Sequence, residues 1–197
     1  YKEYNNTFYE QGFTGRLLVD GDEEFYIENN VLISYFGNNQ DVAIPENVTE
    51  IGPNAFRNNS DLENLILSEE IEVIGDGAFL NCSNLKTVEN TDGLIKIGSS
   101  AFSNCKSLET FELIGTRLER IGDDAFSNCS SLKLPEISDT VNYIGDSAFN
   151  SCFSMNGPIK LPKNLTTIGN YAFYRCNSLE GNLVIPEKVT YIGGWAF

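Results

Sequence analysis

Ile97-Gly98-Ser99-Ser100-Ala101-Phe102 is the third of seven copies of one phrase, Ile-Gly-x-x-Ala-Phe. The copies occupy 51–56, 74–79, 97–102, 121–126, 144–149, 168–173 and 192–197, at intervals of 23, 23, 24, 23, 24 and 24 residues. Ile, Gly, Ala and Phe hold their positions in all seven. Self-similarity at a fixed period of this length predicts a solenoid, whose units bury their apolar faces on one another. One repeat domain is therefore expected over 22–197, with a hairpin cap at about 22–40 and seven repeats, the last incomplete. Residues 1–21 carry no copy and read as a tail or the end of an upstream segment.

Working outward from the phrase Ile, each slot has a physical task. Nine and seven residues before it stand apolar pairs such as Val42/Ile44, Leu65/Leu67 and Ile159/Leu161, with Val88/Asn90 and Pro135/Ile137 less regular. A spacing of two predicts a short strand with one buried face. Three before the Ile the residue is Val48, Ile71, Leu94, Leu118, Val141, Leu165 or Val189, which predicts a second inward-facing segment. The invariant Gly implies either positive φ or coils stacked too closely for a Cβ. Asp76, Ser99, Asp123, Asp146 and Asn170 after it suggest the N-cap of a short helical turn that carries Ala and Phe. The Phe side chains are expected to stack in one core column.

Five cysteines, Cys82, Cys105, Cys129, Cys152 and Cys176, each lie three residues after a phrase Phe, and Asn59 takes that slot in the first repeat. Such a column reads as buried thiols facing a turn of backbone rather than as a disulfide set, a metal site or a nucleophile. The chain has no His, which removes Ser-His-Asp and Cys-His catalysis and imidazole metal sites. Its net charge of -15 argues against nucleic acid and against anionic lipid, both of which demand basic surface. No apolar run approaches the ~20 residues of a membrane helix. No catalytic, cofactor or metal residues are expected.

Two β-prone runs, 25–27 and 31–33, flank Glu28-Asn29-Asn30 and predict a hairpin that covers the first coil. The chain begins at Tyr1 and stops on the last residue of the seventh phrase. It is therefore read as a processed or trimmed piece, the array is expected to continue, and the open last coil is a candidate for self-association.

The full wording, Cys-x-x-Leu-x-x-Leu-x-Leu-Pro-x-x-Val-x-x-Ile-Gly-x-x-Ala-Phe, resembles the BspA-like leucine-rich repeats, also called the TpLRR type. The stretch from Asn177-Ser178-Leu179 through Pro186 and Val189 to Ile192-Gly193 is a clean copy. The resemblance covers about 22–197 and implies a leucine-rich-repeat solenoid: a right-handed coil with short parallel strands on its concave face. Family members are commonly secreted or cell-surface proteins of bacteria and include adhesins. The resemblance thus implies an extracellular or cell-surface, non-enzymatic binding module for a host matrix or surface protein. Glycan binding is the alternative, since aromatics make up 12% of the chain and Tyr143, Tyr171, Tyr191 and Trp195 are candidates for exposure.

Alternation places the residues beside the buried pair on the concave surface. In that register Ile66, Glu89, Phe111, Leu113, Leu134, Glu136 and Lys160 form the candidate binding face, with Phe111, Leu113 and Leu134 an apolar patch and the charges its rim. The repeat of 24 residues between Ile97 and Ile121 leaves a second register open. If its extra residue follows the strand, Phe111 and Leu113 turn into the core and Glu112 faces out.

Overall fold

A computed structural model describes residues 24–197 in full and, before them, the backbone of two paired antiparallel strands, β1 (Lys2–Tyr4) and β2 (Leu17–Val19). The rest of the expected tail, with most of its acidic run at 20–24, lies outside the described residues. The described chain is a β-solenoid of seven coils without a helix. It starts at the expected hairpin, β3 (Phe25–Glu28) against β4 (Val31–Tyr35), turned by Asn29 and Asn30 in the left-handed region. Asn accepts that conformation more readily than other non-glycine residues.

Two parallel sheets climb the coils. The first contains β5 (Asp41–Ala43), β7 (Asn64–Ile66), β9 (Thr87–Glu89) and β11 (Thr110–Phe111), at the predicted alternating strand. The second runs through the phrase Ile: β6 (Glu50–Ile51), β8 (Val73–Ile74), β10 (Lys96–Ile97), β12 (Arg120–Ile121), β13 (Tyr143–Ile144), β14 (Thr167–Ile168) and β15 (Tyr191–Ile192). The hairpin joins this sheet through β4, making nine strands, with Leu32 opposite Ile51. The second inward-facing segment is thus the longer sheet. The first shrinks after β11 to single bridges, Leu113 to Ile137 and Gly157 to Leu179. Pro135 and Pro158 stand where the next ladder amides are needed, and proline has none.

The register after β10 settles the open alternative. Phe111 pairs with Val88, an inward residue, and lies 3% exposed, with Leu113 at 1%. Both leave the predicted binding face and belong to the core. The Phe111 ring sits edge-on to two neighbours, 5.0 Å from Phe102 and 5.0 Å from Phe126. The extra residue follows the strand: Ile114 is turned out, 44% exposed. Gly115 tucks beneath the previous coil, where a Cβ would stand 2.8 Å from the Asp92 carbonyl oxygen. One coil earlier Asn90, at φ 62°, turns out of the slot predicted for it, and Thr91 is buried instead.

The segment after each phrase Gly is not a helical turn. The Ala55, Arg57 and Asn59 amides close four-residue turns onto Gly52, Asn54 and Phe56, while the Asn54, Phe56 and Asn58 amides reach up to Asp76, Ala78 and Leu80 of the next coil. Alternate amides thus serve the turn and the stack. Asn54 and Asn58 carry φ of 58° and 62°, as position i+2 of type II turns requires. Every later coil repeats this at one or both equivalent positions, mostly with Asn, Ser, Asp or Gly. The presumed N-caps act between coils: the Asp76, Asp123 and Asp146 carboxylates accept the Ser99, Asp146 and Asn170 amides at 2.8, 3.0 and 2.7 Å.

The Phe column forms as expected. From Phe56 to Phe197 consecutive rings stack at 4.8–5.4 Å between centroids. Tyr35 of the hairpin heads the column, 4.8 Å from Phe56. Each stacked pair adds roughly 0.5–1.5 kcal/mol beyond the burial itself. The phrase glycines have ordinary φ, so of the two readings close stacking holds. A Cβ on Gly98 would stand 2.7 Å from the Asp76 amide nitrogen and 2.7 Å from the Gly75 carbonyl carbon.

The thiols are buried and unpaired as disulfides. Cys82, Cys105, Cys129, Cys152 and Cys176 donate through Sγ to the Phe carbonyl of the coil before, at 3.0–3.2 Å. That carbonyl also accepts an amide from within its own coil, Asn59 for Phe56 and the next Cys for the others, which fills both lone pairs. Asn59 accepts the Asp61 and Leu62 amides at 2.9 and 3.0 Å in the same slot. Burial pushes the Cys82 thiol up to about 12 and that of Cys176 to about 11.

Four measurements check this account. Phe102→Ala and Phe111→Ser should each lower unfolding free energy by about 3–5 kcal/mol in denaturant titration, and a loss below about 1 kcal/mol at Phe111 returns it to the surface. Gly98→Val should be at least as damaging, because backbone rather than a movable side chain stands in the way of the new Cβ; a wild-type denaturation midpoint refutes close stacking. Native labelling with a thiol reagent should be slow, and denaturant should expose all five cysteines. Above the ordinary thiol value of 9.0 the unfolded chain loses protons that the folded chain keeps, so stability should fall as pH rises from 9.0 toward about 12.

Candidate functional site

The outer face of the four-stranded sheet follows from its register. Val42, Leu65, Val88 and Phe111 point inward as partners on successive strands. Their neighbours Ala43, Ile66 and Glu89 are partners on the outward side, and Glu112 continues that column beside Phe111. The bridge from Leu113 to Ile137 brings Glu136 next to Glu112. Lys160, one before the buried Leu161, is exposed one coil further on.

Of the seven predicted face residues, five keep an outward aspect. Ile66 is 44% exposed, and Glu89, Glu136 and Lys160 are exposed. Leu134 is half-buried against the core. Phe111 and Leu113 are replaced on the face by Glu112, with Ile114 at its margin. The apolar patch predicted at mid-array is therefore an acidic column, Glu89, Glu112 and Glu136, one carboxylate per coil. Like charges directly opposite on neighbouring strands cost stability, so this column is not explained by the fold.

A polar column runs beside it. Asn64 donates to the Asp41 carboxylate at 2.6 Å and accepts from the Thr87 hydroxyl at 3.0 Å. Along the next edge, charges alternate and pair between coils: Lys86 with Glu63, and Lys133 with Glu109 at 3.4 Å. Glu89, Glu112 and Glu136 have no such cation: among the described residues no ion pair reaches them. The signal for Glu112 was present in the sequence as the longer repeat, but two registers fitted it equally until strand pairing chose one.

The opposite sheet presents a different surface. Arg120 lies over the Tyr143 ring at 3.8 Å, and the Tyr143 hydroxyl donates to Asp123 at 3.1 Å. That aromatic is half-buried and held by its neighbours. Tyr171, Tyr191 and Trp195 are exposed as predicted. Among the described residues no group of three or more Cys, Asp or Glu side chains is placed to hold a metal ion. Among the described residues no helix is long and apolar enough to cross a membrane.

None of the curated proteins compared matches this chain. Among solved structures, the T. pallidum leucine rich repeat protein TpLRR is 31% identical with a TM-score of 0.73, over 85% of this chain and 81% of that one. A leucine-rich repeat protein from Bacteroides ovatus is 25% identical with a TM-score of 0.61, over 90% of this chain and 55% of that one. A leucine rich cell surface protein from Faecalibacterium prausnitzii, at 24% identity and a TM-score of 0.63, shares the fold over 92% of this chain and 56% of that one. The present chain thus spans just over half the length of the latter two. The family described as the BspA type leucine rich repeat region matches in six copies over residues 26–156 and 114–197. With that match and the TpLRR likeness spanning most of its length, the chain belongs to the BspA type leucine-rich repeat family.

Proposed function

We propose that this chain is a non-enzymatic binding module of a secreted or cell-surface bacterial protein, and that the outer face of its four-stranded sheet takes an extracellular protein. The carrying observation is the column Glu89, Glu112 and Glu136, three exposed carboxylates on adjacent coils that no ion pair reaches among the described residues. Ile66 and Ile114 add exposed apolar contact area at its margins. An acidic column beside scattered apolar residues is complementary to a basic protein surface, whose approach the net charge of -15 accelerates at low salt. Family membership supports the module reading, and the F. prausnitzii relative described as a cell surface protein supports the location.

The test is capture of the purified chain on immobilised basic extracellular matrix proteins, with an unrelated acidic protein of similar size as the control. Binding should exceed the control and weaken with added salt. The double variant Glu112→Lys, Glu136→Lys should cut it about tenfold or more while leaving the denaturation midpoint near wild type. Retention no greater than the control, or retention indifferent to the charge reversal, refutes this face.

A further inference from the structure

The repeat supplies its own standard against which a departure can be judged. The residue after the Cys slot is Ser60, Ser83, Lys106, Ser130, Phe153 and Asn177 in successive repeats. Five of these six are polar and one is a large aromatic. Phe153 is not recruited by the core: it is 46% exposed and stacks on no other ring among the described residues. Burial does not account for it.

Phe153 lies in a groove of about 670 Å³ that runs across the fourth to seventh coils, and its lining does not include Glu89, Glu112 or Glu136. Leu134 adds the other apolar part of the lining, and Ser131, Ser154 and Asn156 supply polar groups around it. Those three side chains have no hydrogen-bond partner within the described chain, so their donors and acceptors are free. The Phe153 backbone is fixed, since its carbonyl accepts the Ser178 hydroxyl at 2.8 Å. The rim beyond Asn156 is fixed as well. Gly157 turns at φ 93°, its amide bonds the Ser178 carbonyl at 3.3 Å, and its carbonyl accepts the Glu180 amide at 3.1 Å. At the other end Glu109 and Lys133 pair at 3.4 Å, which leaves the groove without net charge.

One ring with an open face, set among uncommitted hydroxyls and an amide, matches the two-sided chemistry of a sugar. A pyranose has a face of C–H groups that rests on the negative face of an aromatic ring, and a rim of hydroxyls that both donate and accept. An apolar surface with a few converging polar groups is also the usual make-up of a small-ligand site. The groove holds no unpaired cation, and the chain around it is strongly acidic, so a carboxylated sugar is disfavoured. We infer that this groove is a subsite for a neutral pyranose of a glycan, stacked on Phe153 and hydrogen-bonded by Ser131, Ser154 and Asn156. The groove borders the proposed protein-binding face through Leu134 but shares none of its carboxylates, so either reading can stand without the other.

Saturation-transfer NMR tests it on the full chain with cellotetraose, maltotetraose, chitotetraose and mannotetraose, and with sialyllactose as the acidic comparison. At least one neutral tetrasaccharide should receive saturation, strongest at the ring protons of one residue, and sialyllactose should not. Phe153→Ser should weaken that binding about tenfold or more. The variant restores the residue that the repeat itself carries at 60, 83 and 130, so the fold is retained, which its denaturation midpoint checks. Phe153→Trp should preserve binding, and Asn156→Ala should weaken it about threefold to tenfold. Glu112→Lys, outside the groove lining, should leave it unchanged. Silence from all four neutral probes, equal binding by Phe153→Ser, or preference for sialyllactose overturns the assignment.

Discussion

Backbone lies directly on backbone at the seven phrase glycines, and the spacing of the coils is set there. A Cβ at Gly122, Gly169 or Gly193 would come within 2.6 Å of the preceding coil's main chain. Only at that approach do the phrase Phe amides reach the next coil's Ala carbonyls, each at 2.7 Å. The same rise brings the rings into stacking contact and the thiols to the carbonyls below. Widening one glycine contact would strain all three ladders together, because they share one repeat distance. Cooperation of this kind is how a solenoid, whose units touch only their neighbours, holds as one body.

Much of this was legible because a repeat states each requirement several times over. The Phe column, the buried thiols, the inward strand pair and the hairpin cover all rest on slots that recur. What was misread sits where chain length or backbone conformation, rather than residue type, decides. Phe111 and Leu113 satisfied an exposed-patch reading and a core reading equally, since one added residue shifts a strand's faces by one. Pairing of Phe111 with Val88 resolved it. The stretch after the glycine looked helical because Asp, Ser and Asn suit an N-cap, yet the same residues suit the left-handed region. Asn58, Asn81, Asn104 and Asn128, in the same slot of successive repeats, were the overlooked sign of turns that need it.

Surface function in such a molecule has to be read differently from fold. Outward columns are free to vary, so a residue there that matches its column says little, and one that breaks it says more. Glu89, Glu112 and Glu136 stand where the first two coils carry Ala43 and Ile66. Phe153 breaks a polar column at another edge. Neither departure helps the core, and the acidic column works mildly against it.

The position of the inserted residue at Ile114 and Gly115 has a consequence for how such a protein can change over generations. The turn between the two sheets takes up one more residue while both flanking strands keep their register. Single-codon insertions there are structurally silent, whereas the same insertion inside a strand would turn its core residues to solvent. Whole units of 23 or 24 residues are silent for a related reason, since every coil offers the next the same ring, glycine and carbonyl. Gene duplication can therefore lengthen or shorten the outer faces in steps of one coil, and point substitution can then write on them, without the core being reinvented.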